Sequence, residues 1–166
     1  MSDRVFLDAN VLVSAAWRSE NGLLALWRLA DIELLTSAYA IVEADRNIRT
    51  SEQRTRLHRL VQSVEIVDEP SRSALPAGVR LPVKDVPILL AAIESQSDYL
   101  LTGDKDHFGA YFDKTIQGVH VLRPAACLNL AYGVANSLDG RQIYAVRKPS
   151  HYCAARLAVN RGNGKG

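Results

Sequence analysis

The chain has 166 residues, a hydrophobic share of 48%, a charged share of 23% and a formal net charge of +2. These values are ordinary for a soluble globular protein and predict one domain whose core is large enough to fold without disulfides. We expect no membrane-spanning segment, because no apolar run approaches the roughly 20 residues that such a helix needs.

The cysteines and the N-terminus favour a cytoplasmic protein. Cys127 and Cys153 have no metal-like spacing, and we interpret them as reduced thiols. The first residues, MSDRVFLDAN, lack the basic region and long apolar run of a signal peptide.

Short apolar runs alternate with segments of helical periodicity along the chain. Strands are predicted at residues 4–7, 33–36, 64–67, 99–102 and 119–122. Helices are predicted after Asp8, at about residues 23–30, after caps at Ser37 and Ser51, from Asp85, and from Pro124 to about residue 135. Prolines and a glycine predict a loop at residues 68–84. A short strand at 143–146 and a short helix at 152–159 are weaker predictions.

The alternation of strands and helices predicts an α/β fold, a three-layer α/β/α sandwich with a mostly parallel five-stranded sheet. Right-handed crossovers favour the strand order 3-2-1-4-5. The carboxyl ends of strands 1 and 4 then flank the topological switch point, where open α/β sheets place their sites. This domain is predicted to cover residues 1–136, and residues 137–166 form a basic extension that is not a separate domain.

Basic residues form two groups that could neutralise phosphates or could only be solvated surface. One is mid-chain, at Arg46, Arg49, Arg54, Arg56 and Arg59. The other is in the extension, at Arg141, Arg147, Lys148, Arg156, Arg161 and Lys165.

Acidic residues from distant parts of the sequence are predicted to meet at the switch point. Asp8 ends strand 1, Asp104 and Asp106 follow strand 4, and Asp85 begins the helix that leads into strand 4. Glu43, about two turns into its helix, could reach the same crevice. Each acid also has a simpler interpretation, as a strand end, a helix cap or a solvent-facing side chain.

Converging carboxylates need a cation. Two of them about 4 Å apart repel by roughly 4 kcal/mol at an effective dielectric near 20. Oxygen ligands favour Mg²⁺, with Mn²⁺ as an alternative, and such ions suit phosphodiester hydrolysis. The four histidines are scattered, and we interpret His107 as a bystander or a substrate contact before a ligand.

Four segments in order resemble the motifs of PIN-domain ribonucleases, in particular the toxin components of bacterial toxin–antitoxin pairs (VapC-like). They are VFLDANVLVSA, VEADRNI, KDVPILLAAIESQSDYLLTGDKDHF and GVHVLRPAACL, which span about residues 4–130. The resemblance implies magnesium-dependent endonucleolytic cleavage of RNA, a cognate antitoxin and a homodimer.

The resemblance also assigns roles to residues. The family's first three acids map to Asp8, Glu43 and Asp85, and its fourth falls on Asp104, with Asp106 close enough to share that role. We expect Asp8, Asp85 and Asp104 to hold the metal. A supporting polar position of the family matches Asn10. The family usually has Ser or Thr after the first acid, but this chain has Ala9, so one hydroxyl that could help to position a metal, water or phosphate is missing.

Two other functions are compatible with parts of the pattern. Loss of the hydroxyl at Ala9 and the basic extension would suit a non-catalytic PIN-like module that binds RNA or protein. A haloacid-dehalogenase-like phosphatase would also use the strand-1 Asp, but it needs a second Asp where this chain has Asn10. That class also needs a lysine between Glu43 and Asp85, and this chain lacks a suitably placed one, since the interval contains only Lys84.

Overall fold

A computed structural model describes residues 2–131, in which helices pack against one central sheet of six strands. The strands are β1 (Asp3–Leu7), β2 (Ile32–Ser37), β3 (Glu65–Val67), β4 (Tyr99–Leu101), β5 (Thr115–Ile116) and β6 (Val119–Leu122). The helices are α1 (Ala9–Ala16), α2 (Ala38–Asn47), α3 (Ser51–Val61), α4 (Val86–Glu94), α5 (Lys105–Phe108) and α6 (Pro124–Ala131). Two 3₁₀ helices cover Gly22–Arg28 and Gly109–Tyr111. The predicted α/β/α class is confirmed.

The sheet has the order β3-β2-β1-β4-β6-β5, and every neighbouring pair is parallel except β5 and β6. The predicted order of the first five strands is therefore confirmed, with β6 as the predicted strand 5. The predicted number of strands is wrong, because β5 adds an antiparallel edge. Gln117 and Gly118, both at positive φ, connect β5 to β6 in the manner of a two-residue hairpin turn. A strand of two residues is too short to show the alternating pattern of apolar and polar side chains, so the sequence does not predict β5.

Burial in the core explains why β1 and β4 lie at the centre of the sheet. Val5, Phe6 and Leu7 of β1 and Leu100 and Leu101 of β4 are buried. Continuous apolar runs of this kind are typical of parallel strands that are covered on both faces. α4 contributes six consecutive buried residues, Ile88, Leu89, Leu90, Ala91, Ala92 and Ile93. The central strands are thus fixed by hydrophobic burial.

Two helix starts test the predicted caps. Ser37 caps α2 as predicted, since its side chain accepts a hydrogen bond from the Ala40 N–H. The predicted cap at Ser51 is wrong, because Thr50 caps α3 and forms a capping box with Gln53. The predicted helix at residues 23–30 is a 3₁₀ helix that ends at Arg28, where Leu29 becomes extended.

Several predictions lie outside the described residues: the strand at 143–146, the helix at 152–159, the last turn of the helix to residue 135, the extension 137–166 and Cys153. Cys127 is buried and forms no disulfide with a described residue. Within residues 2–131, no helix has the length and apolar character that crossing a bilayer requires.

Candidate active site

The carboxyl ends of β1 and β4 bring the first acid next to a threonine. Leu7 is paired with Leu101, and the Asp8 N–H donates to the Leu101 carbonyl at 3.1 Å. The residues that follow these two strands, Asp8 and Thr102, are both buried. The parallel register therefore fixes the position of the Asp8 carboxylate at the centre of the sheet edge, as predicted for the switch point.

Thr102 is the centre of a hydrogen-bond network. Its hydroxyl donates to Asp8 Oδ2 at 2.7 Å and accepts from the Asp104 N–H at 3.1 Å. Asn10 Nδ2 donates to Asp8 Oδ2 at 2.7 Å and also lies 3.1 Å from the Thr102 hydroxyl. Asn10 Oδ1 accepts from the Gly103 N–H at 2.7 Å. Asn10 and Thr102 thus hold one oxygen of Asp8 and fix the loop that carries Asp104.

The environment of Asp8 works against its ionisation. Burial, together with the nearby charges of Asp85 and Glu43, raises its pKa to about 6 although the Thr102 hydroxyl and the Ala9 N–H stabilise the carboxylate. A group with such a pKa takes up a proton or a cation more readily than an exposed aspartate does.

Asp104 caps α5 and also faces a histidine. Its Oδ1 accepts from the N–H groups of Asp106 and His107, both at 3.0 Å, and its Oδ2 lies 2.7 Å from Nδ1 of His107. Burial disfavours the charge, but the hydrogen bonds and the nearby imidazole have the larger combined effect and lower the pKa of Asp104. Asp104 is therefore an anion with one oxygen committed to the helix and the other directed at His107.

Asp85 immediately precedes α4, yet its side chain makes no capping hydrogen bond. The simpler interpretation of Asp85 as a cap is thus not supported. Its side chain is only 7% exposed, and Oδ2 is buried without a hydrogen-bond partner among residues 2–131, although Nδ1 of His107 lies 3.0 Å away. Burial raises the pKa of Asp85, Asp104 adds to this effect, and Lys84 and His107 oppose it. A buried oxygen without a donor is what a metal ligand requires.

An open pocket of about 300 Å³ brings four of the five predicted acids together. Its lining includes Asp8, Ala9, Asn10, Val13, Ser14, Glu43, Asn47, Lys84, Asp85 and Asp104. The fifth predicted acid, Asp106, is exposed in the first turn of α5 and is not part of this lining. Its catalytic role stays a prediction.

Sequence reasoning missed Thr102 and undervalued His107. Thr102 was assigned only as the end of a strand, but a hydroxyl between an apolar strand and an acid was a usable signal. His107 lies three residues after Asp104, and that spacing places the two side chains on one face of a helical turn. The structure brings His107, Asp85 and Asp104 together, with one potential ligand atom of each within 4.8 Å of the others.

We expect Thr102→Val to lower the free energy of unfolding by about 2 kcal/mol, because buried polar groups lose their partners. Asp8 would lose a donor, and the Asp104 N–H would lose its acceptor. Urea denaturation in EDTA measures this effect. The control is Thr55→Val on the exposed side of α3, where a change within about 0.5 kcal/mol is expected. Equal stability of the two variants would contradict a structural role for Thr102.

Comparison with known proteins places this geometry in context. The family model of the PIN domain matches residues 4–106. No curated protein matches the chain by sequence. Among solved structures, the chain is similar to VapBC2 from Rickettsia felis bound to a DNA fragment from their promoter. The TM-score is 0.53 and the identity 16%, covering 72% of this chain and 98% of that chain. At this identity the similarity concerns the fold.

Proposed function

Because the chain belongs to the PIN domain family, we propose that it is a magnesium-dependent endoribonuclease that hydrolyses RNA phosphodiester bonds in the pocket of Asp8, Glu43, Asp85 and Asp104. PIN domains are generally nucleases and typically depend on divalent metals. The observation that carries the proposal is the convergence of four carboxylates from four separate segments on one pocket. Such a cluster is costly without a cation.

The residues fit a metal ion. Asp85 presents a buried oxygen to which no described residue donates a hydrogen bond, and burial raises the pKa of both Asp8 and Asp85. A bound cation would give the Asp85 oxygen a partner and would stabilise the charged form of both carboxylates. A ligand set rich in hard oxygen atoms favours Mg²⁺ or Mn²⁺. In this proposal Asp8, Asp85 and Asp104 hold the metal.

The bound metal would supply an activated water and stabilise charge on the leaving oxygen. The chain's own residues position these groups. Asn10 and Thr102 hold Asp8 by hydrogen bonds, and Thr102 also accepts from the Asp104 backbone. Glu43 lines the pocket from α2, where it would orient the attacking water. Asp106 is the acid that would share the role of Asp104.

A neighbouring groove suits a single-stranded RNA. A pocket of about 650 Å³ shares Glu43, Asn47 and Lys84 with the acidic pocket, and Tyr39 and Arg46 also line it. Lys84 and Arg46 are exposed and could contact phosphates, and an aromatic ring such as that of Tyr39 can stack on a base. Basic and aromatic groups thus extend from the acids along one possible path for the substrate.

We also propose that the protein is the toxin of a toxin–antitoxin pair and acts in the cytoplasm as a homodimer. The fold similarity to VapBC2, together with the family, supports the toxin–antitoxin pair. Co-purification with the product of a neighbouring small gene, followed by light scattering, tests the partner and the dimer. A monomer that the neighbouring product neither binds nor inhibits would contradict this part of the proposal.

The decisive experiment is incubation of the purified full chain with a labelled single-stranded RNA, in magnesium and in EDTA. We expect internal cleavage products in magnesium only. A DNA strand of the same sequence distinguishes ribonuclease from general nuclease activity. RNA binding without cleavage would favour the non-catalytic module that Ala9 suggests. Hydrolysis of a small phosphate monoester without RNA cleavage would favour the phosphatase alternative.

A further inference from the structure

His107 projects a ring nitrogen at two acids at once. Its Nδ1 lies 2.7 Å from Asp104 Oδ2 and 3.0 Å from Asp85 Oδ2. His107 belongs to α5, which Asp104 caps, whereas Asp85 precedes α4, so the three atoms come from two separate segments. The His107 side chain is 31% exposed, which leaves the ring accessible from solvent.

Hydrogen bonding accounts for only part of this arrangement. Nδ1 carries at most one proton and can donate it to one carboxylate. The shorter contact is to Asp104, and Asp85 Oδ2 is left buried without a hydrogen-bond donor from the part of the chain that the structure describes. Asp104 Oδ1 already accepts from two backbone N–H groups, so its Oδ2 is the oxygen available for another partner.

The separations also match those of atoms that share a metal. Adjacent ligands of an octahedral ion with bonds of about 2.1 Å lie about 3 Å apart. The two nitrogen–oxygen distances, 2.7 and 3.0 Å, are close to that value. Nδ1 and the two carboxylate oxygens could therefore ligate one ion after only small movements.

We propose that Asp85, Asp104 and His107 form a mixed carboxylate–imidazole metal site, in which Nδ1 of His107 is a direct ligand and gives Mn²⁺ an advantage over Mg²⁺. An imidazole nitrogen binds first-row transition ions better than Mg²⁺, which prefers oxygen ligands. This inference rests on the proposed function only in that it concerns the same metal site. Its test is independent, because metal binding can be measured without RNA cleavage. It changes the interpretation of His107 from a bystander to a ligand.

The test is a titration of the full, metal-free chain with Mn²⁺ and with Mg²⁺ by calorimetry at pH 8. We expect the wild type to bind Mn²⁺ at least about 10-fold more tightly than Mg²⁺. His107→Gln should lose at least about 10-fold in Mn²⁺ affinity, by the scale of substitutions around metal sites, and most of the preference for Mn²⁺. The matched control is His58→Gln, because the His58 side chain is 65% exposed on α3.

A second measurement does not depend on how the variant folds. Pulsed electron paramagnetic resonance of the Mn²⁺-loaded wild type should show coupling to a histidine nitrogen, and ¹⁵N-histidine labelling should change that signal. If His107 only occupies the place of the metal, removing it would instead strengthen Mn²⁺ binding, and the nitrogen coupling would be absent. Either result would overturn the proposal.

Failure of this inference can be told apart from failure of the proposed function. Nitrogen coupling that is lost in His107→Gln, in a protein that cleaves no RNA, would support the metal site and contradict the nuclease. RNA cleavage in magnesium, with Mn²⁺ affinity unchanged in His107→Gln, would support the nuclease and overturn the role of His107.

Discussion

Asp104→Asn is expected to lower RNA cleavage by at least about 100-fold, the upper end of losses caused by substitutions around a metal site. The two oxygens of Asp104 have different tasks. Oδ1 caps α5 through two backbone N–H groups, and Oδ2 faces His107. Asparagine keeps an oxygen for the cap, since it is as good a cap as aspartate. It replaces the other oxygen with an amide nitrogen that cannot ligate a metal.

The stability of Asp104→Asn distinguishes the role of Asp104 as a helix cap from its role as a metal ligand. Because the cap remains, we expect the free energy of unfolding in EDTA to change by less than about 1 kcal/mol. Initial rates of RNA cleavage at saturating Mg²⁺, together with urea denaturation, measure both effects. Asp106→Asn in the same assay shows whether that exposed acid shares the role of Asp104.

The matched control is Asp31→Asn. Asp31 is exposed and lies just before β2, at a φ of 61° that asparagine also tolerates. Its substitution should leave both rate and stability unchanged. An Asp104→Asn variant that cleaves RNA like Asp31→Asn would remove Asp104 from the metal site and leave it as a helix cap.

Asp8→Asn is expected to stabilise the metal-free protein at pH 8 while removing its activity. Burial raises the pKa of Asp8 to about 6 from the usual 3.8 of an aspartate, so the folded state disfavours the charged form. A difference of this size corresponds to a destabilisation on the order of 3 kcal/mol above the folded pKa. An amide has no charge to bury, and its oxygen can accept the same hydrogen bonds from Asn10 and Thr102.

Because of Asp8, the stability of the metal-free protein is expected to fall as the pH rises. Between about pH 4 and pH 6 the folded Asp8 keeps a proton that the unfolded chain has released, so stability falls as the pH rises through this window. Above about pH 6 the loss is complete. The difference in free energy of unfolding between Asp8→Asn and wild type, measured in EDTA, should therefore grow from pH 4 to pH 7 and then level off.

Magnesium should narrow this difference in stability. An ion that binds only the folded state stabilises it by mass action, and Asp8→Asn loses that contribution. We expect melting temperatures in millimolar Mg²⁺ to rise for the wild type and to stay nearly constant for Asp8→Asn. A metal-free Asp8→Asn protein that is less stable than wild type at pH 8 would contradict the interpretation that the buried charge of Asp8 destabilises the metal-free fold.

The framework of the fold could be predicted from local patterns in the sequence. Continuous apolar runs located β1 and β4, and the handedness of crossovers made them neighbours, as the structure confirms. The acids Asp8 and Asp104 could be placed at one edge because each lies at or just past the carboxyl end of a strand. These features are local. The apolar residues of a buried strand follow one another within a short segment, so that segment alone is enough to predict the strand.

The contacts between side chains in the site follow from the packing of distant segments. The hydrogen bond from Asn10 to the Thr102 hydroxyl joins residues 92 positions apart, and it exists because Leu7 is in register with Leu101. The direction of the His107 ring depends on where the helix that Asp104 caps lies relative to Asp85. The short strand β5 likewise exists only as the partner of β6. No local pattern encodes such pairings, since hydrogen bonds and metal ligands act over a few ångströms in space, whatever the separation along the chain.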